Sequence, residues 1–236
     1  MSELAARLAE VRERIGKAAL RAGRRAEDVR LIAVSKTFPI EAIREAYAAG
    51  QRDFGENKVQ EALQKIDAAS DMQVGWHLIG HLQSNKVRKA AGRVGWIHAI
   101  DSLDLLRRVD EVAASEGRTV QVLIQVDLAL EATKHGARVE DVPKLLAAAA
   151  GMRGAVVAGL MLLPPAVGNP EEARPWFRRL RELRERWVQE GTPAEHLRKL
   201  SMGMSHDFEV AVEEGATMVR VGSAIFGARV YGLQGQ

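Results

Sequence analysis

The chain has 236 residues, 47% of them hydrophobic and 28% charged, with a formal net charge of +3 and no cysteine. That length and balance allow one large α/β domain or two small ones with a well-filled core, and the missing cysteines exclude disulfides, thiolate catalysis and cysteine-ligated metal. The slight positive charge is spread along the chain; it can suit an anionic ligand and is a weak argument for nucleic acid.

In chain order, an amphipathic helix is expected over residues 2–22. Its mixture of Glu and Arg leaves no apolar core of signal-peptide length, and no later stretch reaches the roughly 18 apolar residues of a membrane span. A cytoplasmic protein is therefore expected. Apolar runs at 29–34, 76–79, 96–100, 120–126, 156–163 and 218–221 read as strands, with weaker strands near 53–54 and 199–201. Helical periodicity fills the intervals at 40–49, 57–68, 85–91, 103–114, 139–150, 171–189 and 206–214. Gly50, Gly92, Gly117, Gly151, Gly191 and Gly215 stand where left-handed C-caps would end most of these helices. Strict strand–helix alternation implies a parallel sheet. Close to eight units in one chain of this length suit a closed (β/α)8 TIM barrel, a single domain over residues 1–236 with an extra N-terminal helix. The alternative is an open doubly wound sheet. Against it, the first strand–helix turn reads Ser35-Lys36-Thr37-Phe38-Pro39 where a dinucleotide fingerprint would stand.

Lys36 closes the run Leu31-Ile32-Ala33-Val34-Ser35. A strand buried on both faces is almost continuously apolar, and its carboxyl end opens into the mouth where α/β proteins hold ligands. An amine placed there and partly desolvated becomes a nucleophile toward aldehydes. The alternative is a surface lysine at a strand end.

Two later segments each run from strand through glycine into a helix: Leu200-Ser201-Met202-Gly203-Met204-Ser205-His206-Asp207 and Met218-Val219-Arg220-Val221-Gly222-Ser223-Ala224-Ile225-Phe226-Gly227. Small hydroxyl residues and free N–H groups at a helix start suit an anion. By count these segments follow strands seven and eight, the usual phosphate site of a barrel. Ser205 is expected to cap the helix beginning near 206, and Gly222 to let the backbone approach a ligand. Arg220, inside an apolar strand, needs a partner, either a barrel carboxylate or a polar atom of a ligand. An aldehyde-bearing phosphate ester would satisfy both the lysine and the anion loops, and pyridoxal 5′-phosphate (PLP) is the obvious candidate.

These segments, with Ala33-Val34-Ser35-Lys36-Thr37, Phe54-Gly55-Glu56-Asn57, Trp76 to Lys86 and Gly159-Leu160-Met161, resemble in order and over nearly the whole chain the YggS/PROSC family of PLP homeostasis proteins. The resemblance implies a barrel of PLP fold type III, like the N-terminal domain of alanine racemase. It implies Lys36 as the Schiff-base lysine and Ser201, Gly222 and Ser223 as phosphate-binding positions. It also puts Asn57 on the cofactor-facing loop after strand two and Arg220 against the pyridine nitrogen. Ser223 stands where the family often has threonine, which keeps the hydroxyl. The implied role is cofactor storage and supply without robust turnover, with PLP-dependent apo-enzymes as partners and a monomeric state. The alternative is an amino-acid racemase. Racemisation needs acid–base groups on both faces of the substrate; the two tyrosines, Tyr47 and Tyr231, have no evident place in the mouth.

Other features point less far. His77 and His81 are spaced as a metal pair, but Gly80 between them argues for a turn, so no metal is expected. Asp127 ends the fifth strand and could orient a group in the mouth or serve its own loop. The arginines between 171 and 189 read as a solvated face interleaved with Glu182 and Glu185, over a core stripe of Trp176, Leu180, Leu183 and Trp187. The competing reading of that helix is RNA binding.

Overall fold

The computed structural model describes residues 2–129 and 135–228. Helix α1 (Glu3–Arg21) opens the chain, its first turn capped by the Ser2 hydroxyl, which accepts from the Ala5 amide at 3.2 Å. Leu4, Leu8, Val11 and Ile15 form its buried stripe. There follow β1 (Arg30–Val34), α2 (Ile40–Ala48), β2 (Asp53–Glu56), α3 (Val59–Ala68), β3 (Gly75–Leu78), α4 (Val87–Ala90), β4 (Trp96–Ile100), α5 (Leu103–Ser115) and β5 (Val120–Asp127). The second half adds β6 (Ala137–Arg138), α6 (Val142–Ala148), β7 (Ala155–Met161), α7 (Arg174–Gln189), β8 (Lys199–Ser201), α8 (Phe208–Glu213), β9 (Met218–Val221) and α9 (Ser223–Phe226).

All pairings are parallel, in the order β4-β3-β2-β1-β9-β8-β7-β5, and β5 returns to β4. That closure makes the expected eight-stranded α/β barrel and sets aside the open sheet. The short β6 adds to β5 through Val126 and Ala137. No helix among the described residues is long and apolar enough to cross a membrane.

Period-two alternation sorts the strands into two cores. Leu31 and Ala33 of β1, and Val219 and Val221 of β9, pack outward into the large layer shared with the helices. Ile32, Leu123, Ala158, Met161 and Met218 form a second, smaller cluster, which fills the barrel itself. Gly159 is required where β7 meets β8: a Cβ there would overlap the Lys199 carbonyl.

Some local expectations change. Gly50, Gly117, Gly191 and Gly215 do take positive φ after their helices, whereas Gly92 and Gly151 do not. Gly151 closes a 3-10 turn instead, and a Cβ on Gly92 would collide with the Glu116 carboxylate. Helix α4 is a single turn preceded by a 3-10 turn at Ser84–Lys86. In α7 the buried stripe is Phe177, Leu180, Leu183 and Trp187, with Trp176 only half-buried.

The arginines of α7 are also better partnered than a solvated face would be. Arg174 meets Glu213 at 2.6 Å, and Glu214 receives Arg178 at 3.0 Å, Arg174 at 3.2 Å and Arg181 at 3.3 Å. From the other side, Arg21 of α1 reaches Glu213 at 2.6 Å. These ion pairs lace α1, α7 and α8 together. Burial works to raise the Glu214 pKa, but the hydrogen bonds from Arg178, Arg174 and Arg181 bring it below the usual carboxylate value. A depressed folded-state pKa contributes stability that is complete above the unfolded value and disappears as pH falls through the folded one. Glu214→Gln is therefore expected to destabilise by about 2 kcal/mol at neutral pH, read by urea unfolding, with the difference from wild type shrinking below about pH 4. A penalty that is constant across pH would contradict an ionic origin.

Candidate functional site

Ile32 and Val34 face the barrel interior on β1, and the same alternation carries Lys36 inward two residues later. Lys36 lines a cavity of about 510 Å³ with Asn57, Arg220, Gly222 and Ser223. The cavity lies at the carboxyl ends of the strands, the end at which barrels keep their sites. Five of the six residues singled out from the sequence thus meet at one mouth.

Ser201 is the exception. It is fully buried at the end of β8, and it does not line the cavity. Its Oγ accepts from Arg220 Nη1 at 2.7 Å and lies 2.9 Å from His98 Nδ1. Ser205 also differs from expectation: its Oγ accepts from the amides of Gly222 (3.1 Å) and Ala224 (3.4 Å), tying the β8 loop to the start of α9. Gly222 has an ordinary negative φ. What demands glycine there is crowding, since a Cβ would stand 3.3 Å from the Val34 carbonyl.

The turn bearing Lys36 is held from behind. Ser35 points outward into the layer beneath α3, where its hydroxyl donates to Glu56 Oε1 at 2.6 Å. Lys65 Nζ donates to the Ser35 carbonyl (2.8 Å), Glu56 Oε1 (2.8 Å) and Glu61 Oε1 (2.7 Å), and Glu61 in turn accepts from the Thr37 amide at 2.6 Å. Thr37 has φ of +70°, a left-handed conformation that a β-branched residue adopts only under constraint. The Glu61–Thr37 bond and the stack of Phe38 on Phe226, centroids 5.0 Å apart, supply that constraint. Burial raises the Glu56 pKa against the opposing hydrogen bonds from Lys65 and Ser35. For Glu61, burial is outweighed by the hydrogen bonds from Lys65 and Thr37, and its pKa falls.

On the inner face, Arg220 is almost wholly buried; besides Ser201 it donates from Nη2 to the Leu162 carbonyl at 2.9 Å. Desolvation lowers its pKa to about 10, with Asp207 opposing, so the guanidinium is charged at neutral pH. His77 and His98 also lie inside the barrel, fully enclosed. His98 sits within the apolar run of β4, and that placement was the signal a reading of the sequence could have used.

The His77–His81 spacing does not produce a pair. His81 is on the rim, 3.3 Å from Asp101 Oδ2 and stacked on His135 with centroids 3.7 Å apart. The ligating atoms of these three lie within 4.8 Å of one another, but parallel imidazoles send their lone pairs side by side and do not converge on one ion. Gln125 and His135, unmarked in the sequence, also line the cavity. Asp127 accepts from the Ala129 amide at 3.2 Å, as a loop acceptor does. Tyr47 stacks under Arg52, 4.0 Å from its guanidinium carbon, and Tyr231 lies outside the described residues.

Lys65→Met leaves two carboxylates facing an apolar stem. It is expected to cost about 3 kcal/mol in urea unfolding; a loss below about 1 kcal/mol would mean the cluster does not brace the turn.

A sequence model of the alanine racemase N-terminal domain matches residues 7–230. The pyridoxal phosphate homeostasis protein of Aquifex aeolicus is 46% identical over 225 residues, 95% of this chain and 98% of that protein. Among solved structures, PipY of Synechococcus elongatus PCC7942 with PLP bound superposes with a TM-score of 0.83 at 41% identity, covering 95% of this chain and all of that one. Alanine racemase of Corynebacterium glutamicum shares the fold at 19% identity, with a TM-score of 0.67 over 95% of this chain and 62% of that enzyme.

Proposed function

We propose a cofactor-holding role for this chain, which belongs to the family of pyridoxal phosphate homeostasis proteins built on the alanine racemase N-terminal domain. The observation that carries the proposal is the convergence of Lys36, Asn57, Arg220, Gly222 and Ser223 on one cavity large enough for a small phosphorylated ring. The residues suit PLP: an amine for its aldehyde, a guanidinium for its ring nitrogen, and a serine and glycine at a helix start for its ester. When bound, PLP supplies an electrophilic aldehyde, held by our reading as a Schiff base on Lys36 with loss of water.

The chain's own residues define the rest of the role. The braced turn fixes the Lys36 amine at the rim. Arg220 donates and has no lone pair to accept, so it favours an unprotonated ring nitrogen and a weak electron sink. Ser201 acts one layer below the cavity, by orienting Arg220. Gly222 and Ser223 are assigned to the phosphate and Asn57 to the ring face. No tyrosine lines the cavity among the described residues, so the side chain expected to serve the second face in a racemase is not among them. Three of the six α7 arginines, Arg174, Arg178 and Arg181, are engaged by Glu213 and Glu214, which argues against RNA as their partner. The proposal is a single-domain monomer that stores PLP inside the cell and passes it to PLP-dependent apo-enzymes.

Borohydride reduction of the PLP-loaded protein followed by peptide mapping should place the pyridoxyl group on Lys36, and Lys36→Ala should carry none. Label on a different lysine in the wild-type chain would refute the assignment. Incubation with L-alanine should leave optical rotation essentially constant; sustained racemisation at enzyme-like rates would replace storage by catalysis.

A further inference from the structure

A line of buried polar groups crosses the barrel from its amino-terminal end to the cavity. Asp53, the first residue of β2, places Oδ1 2.9 Å from His77 Nε2. His77 Nδ1 is 3.0 Å from His98 Nε2, and His98 Nδ1 is 2.9 Å from Ser201 Oγ. Ser201 Oγ accepts from Arg220 Nη1 at 2.7 Å. Four strands, β2, β3, β4 and β8, hand the line to β9. Four of its five members are buried, with His98 and Ser201 at 0% exposure, His77 at 1% and Arg220 at 3%.

The chemistry of the ends sets the direction. A guanidinium only donates, so Ser201 Oγ accepts from it; a carboxylate only accepts, so the proton order is set from the Asp53 end and leaves His98 Nδ1 to accept from the Ser201 hydroxyl. His98 then carries its proton on Nε2 and donates to His77 Nδ1. His77 carries its proton on Nε2 and donates to the Asp53 carboxylate. Each donor meets one acceptor and none is left over. The reverse direction would set the His77 Nε2 lone pair against the Asp53 carboxylate, two acceptors 2.9 Å apart with no proton between them.

We propose that Asp53, His77, His98 and Ser201 form a one-directional hydrogen-bond chain whose role is to position Arg220 as a fixed donor at the cavity. Asp53, His77 and His98 are positioning residues and touch no ligand. With Nη1 tied to Ser201 and Nη2 to the Leu162 carbonyl, the plane of the guanidinium is fixed against the cavity it lines. The chain also places a carboxylate at one end of a neutral relay and the cation at the other, which reduces the cost of a buried guanidinium.

Every group that faces the relay is consistent with neutral imidazoles. Burial lowers both histidine pKa values. For His98 the charges of His77, Arg220 and Arg30 add to that effect. For His77, Asp53 opposes burial and Arg30 reinforces it. Asp207 is the other carboxylate that Arg220 feels.

The tautomers can be read without any cofactor, by long-range proton–nitrogen NMR on protein labelled at histidine. In the apo-protein both His77 and His98 should be neutral and protonated on Nε2 from about pH 6 to about pH 8. Asp53→Leu removes the terminal acceptor and makes both directions available, so a population protonated on Nδ1 should appear. Asp53→Asn keeps the shape but offers a donor as well as an acceptor, so it too should admit an Nδ1 population, a change that mere packing would not produce. Should Asp53→Leu fail to fold, the isosteric Asp53→Asn carries the same test. An imidazolium or Nδ1–H in the wild-type chain, or unchanged tautomers in the folded variant, would overturn the relay.

The consequence for Arg220 rests on PLP being the ligand. Asp53→Leu, or Asp53→Asn in its place, should weaken PLP binding roughly threefold in an absorbance titration, and unchanged affinity beside altered tautomers would overturn the positioning role. If the wild-type chain takes up no PLP, the storage reading falls while the tautomer result stands by itself.

Discussion

A guanidinium inside a closed barrel is the constraint around which the interior is arranged. Arg220 sits mid-strand on β9, facing inward, where an unpaired charge would cost far more than one apolar side chain could return. Its position obliges β8 to end on a hydroxyl and β4 to carry an imidazole, and it draws a carbonyl from the end of β7. The apolar cluster of Ile32, Leu123, Ala158, Met161 and Met218 fills the remaining space. The barrel therefore holds a polar seam within an oily core, and the seam opens at the mouth.

A second buried cluster lies on the opposite face of β1. Lys65 bridges Glu56 and Glu61, and Lys65 and Glu56 grip Ser35 by its carbonyl and hydroxyl. Ser35 faces out because Val34 and Lys36 face in, so the same two-residue period that delivers the amine to the cavity delivers its anchor to the helical layer. The left-handed Thr37 is the local sign of that grip. Lysine and arginine reach one cavity because each is fixed from a different side of the sheet.

The outer ion pairs explain why a mildly basic chain need not be a polyanion binder. Glu213 and Glu214 gather arginines from α1 and α7, so half of the cations that look like a basic stripe in the sequence, Arg174, Arg178 and Arg181, are interhelical struts. Charge counted along a chain does not reveal which charges are engaged across space.

The barrel, its eight strands and the candidate lysine and arginine were legible from the sequence, because alternation, glycine stops and apolar runs are local signals that survive without neighbours. Strands 199–201 and 218–221 were placed to the residue. Ser201, Ser205 and Gly222 were legible as positions, but what their hydroxyls bond and what crowds the glycine depend on Arg220, Gly222 and Val34, which come from other strands and loops. His98 could be marked only as a polar residue in an apolar run, and Gln125 and His135 gave no usable pattern, since what stands opposite a lone polar residue appears only when the barrel closes. Sequence determines which side of a strand each residue faces; only closure of the sheet decides which residues meet there, because a hydrogen bond of 2.9 Å joins His98 to Ser201, 103 positions apart in the chain.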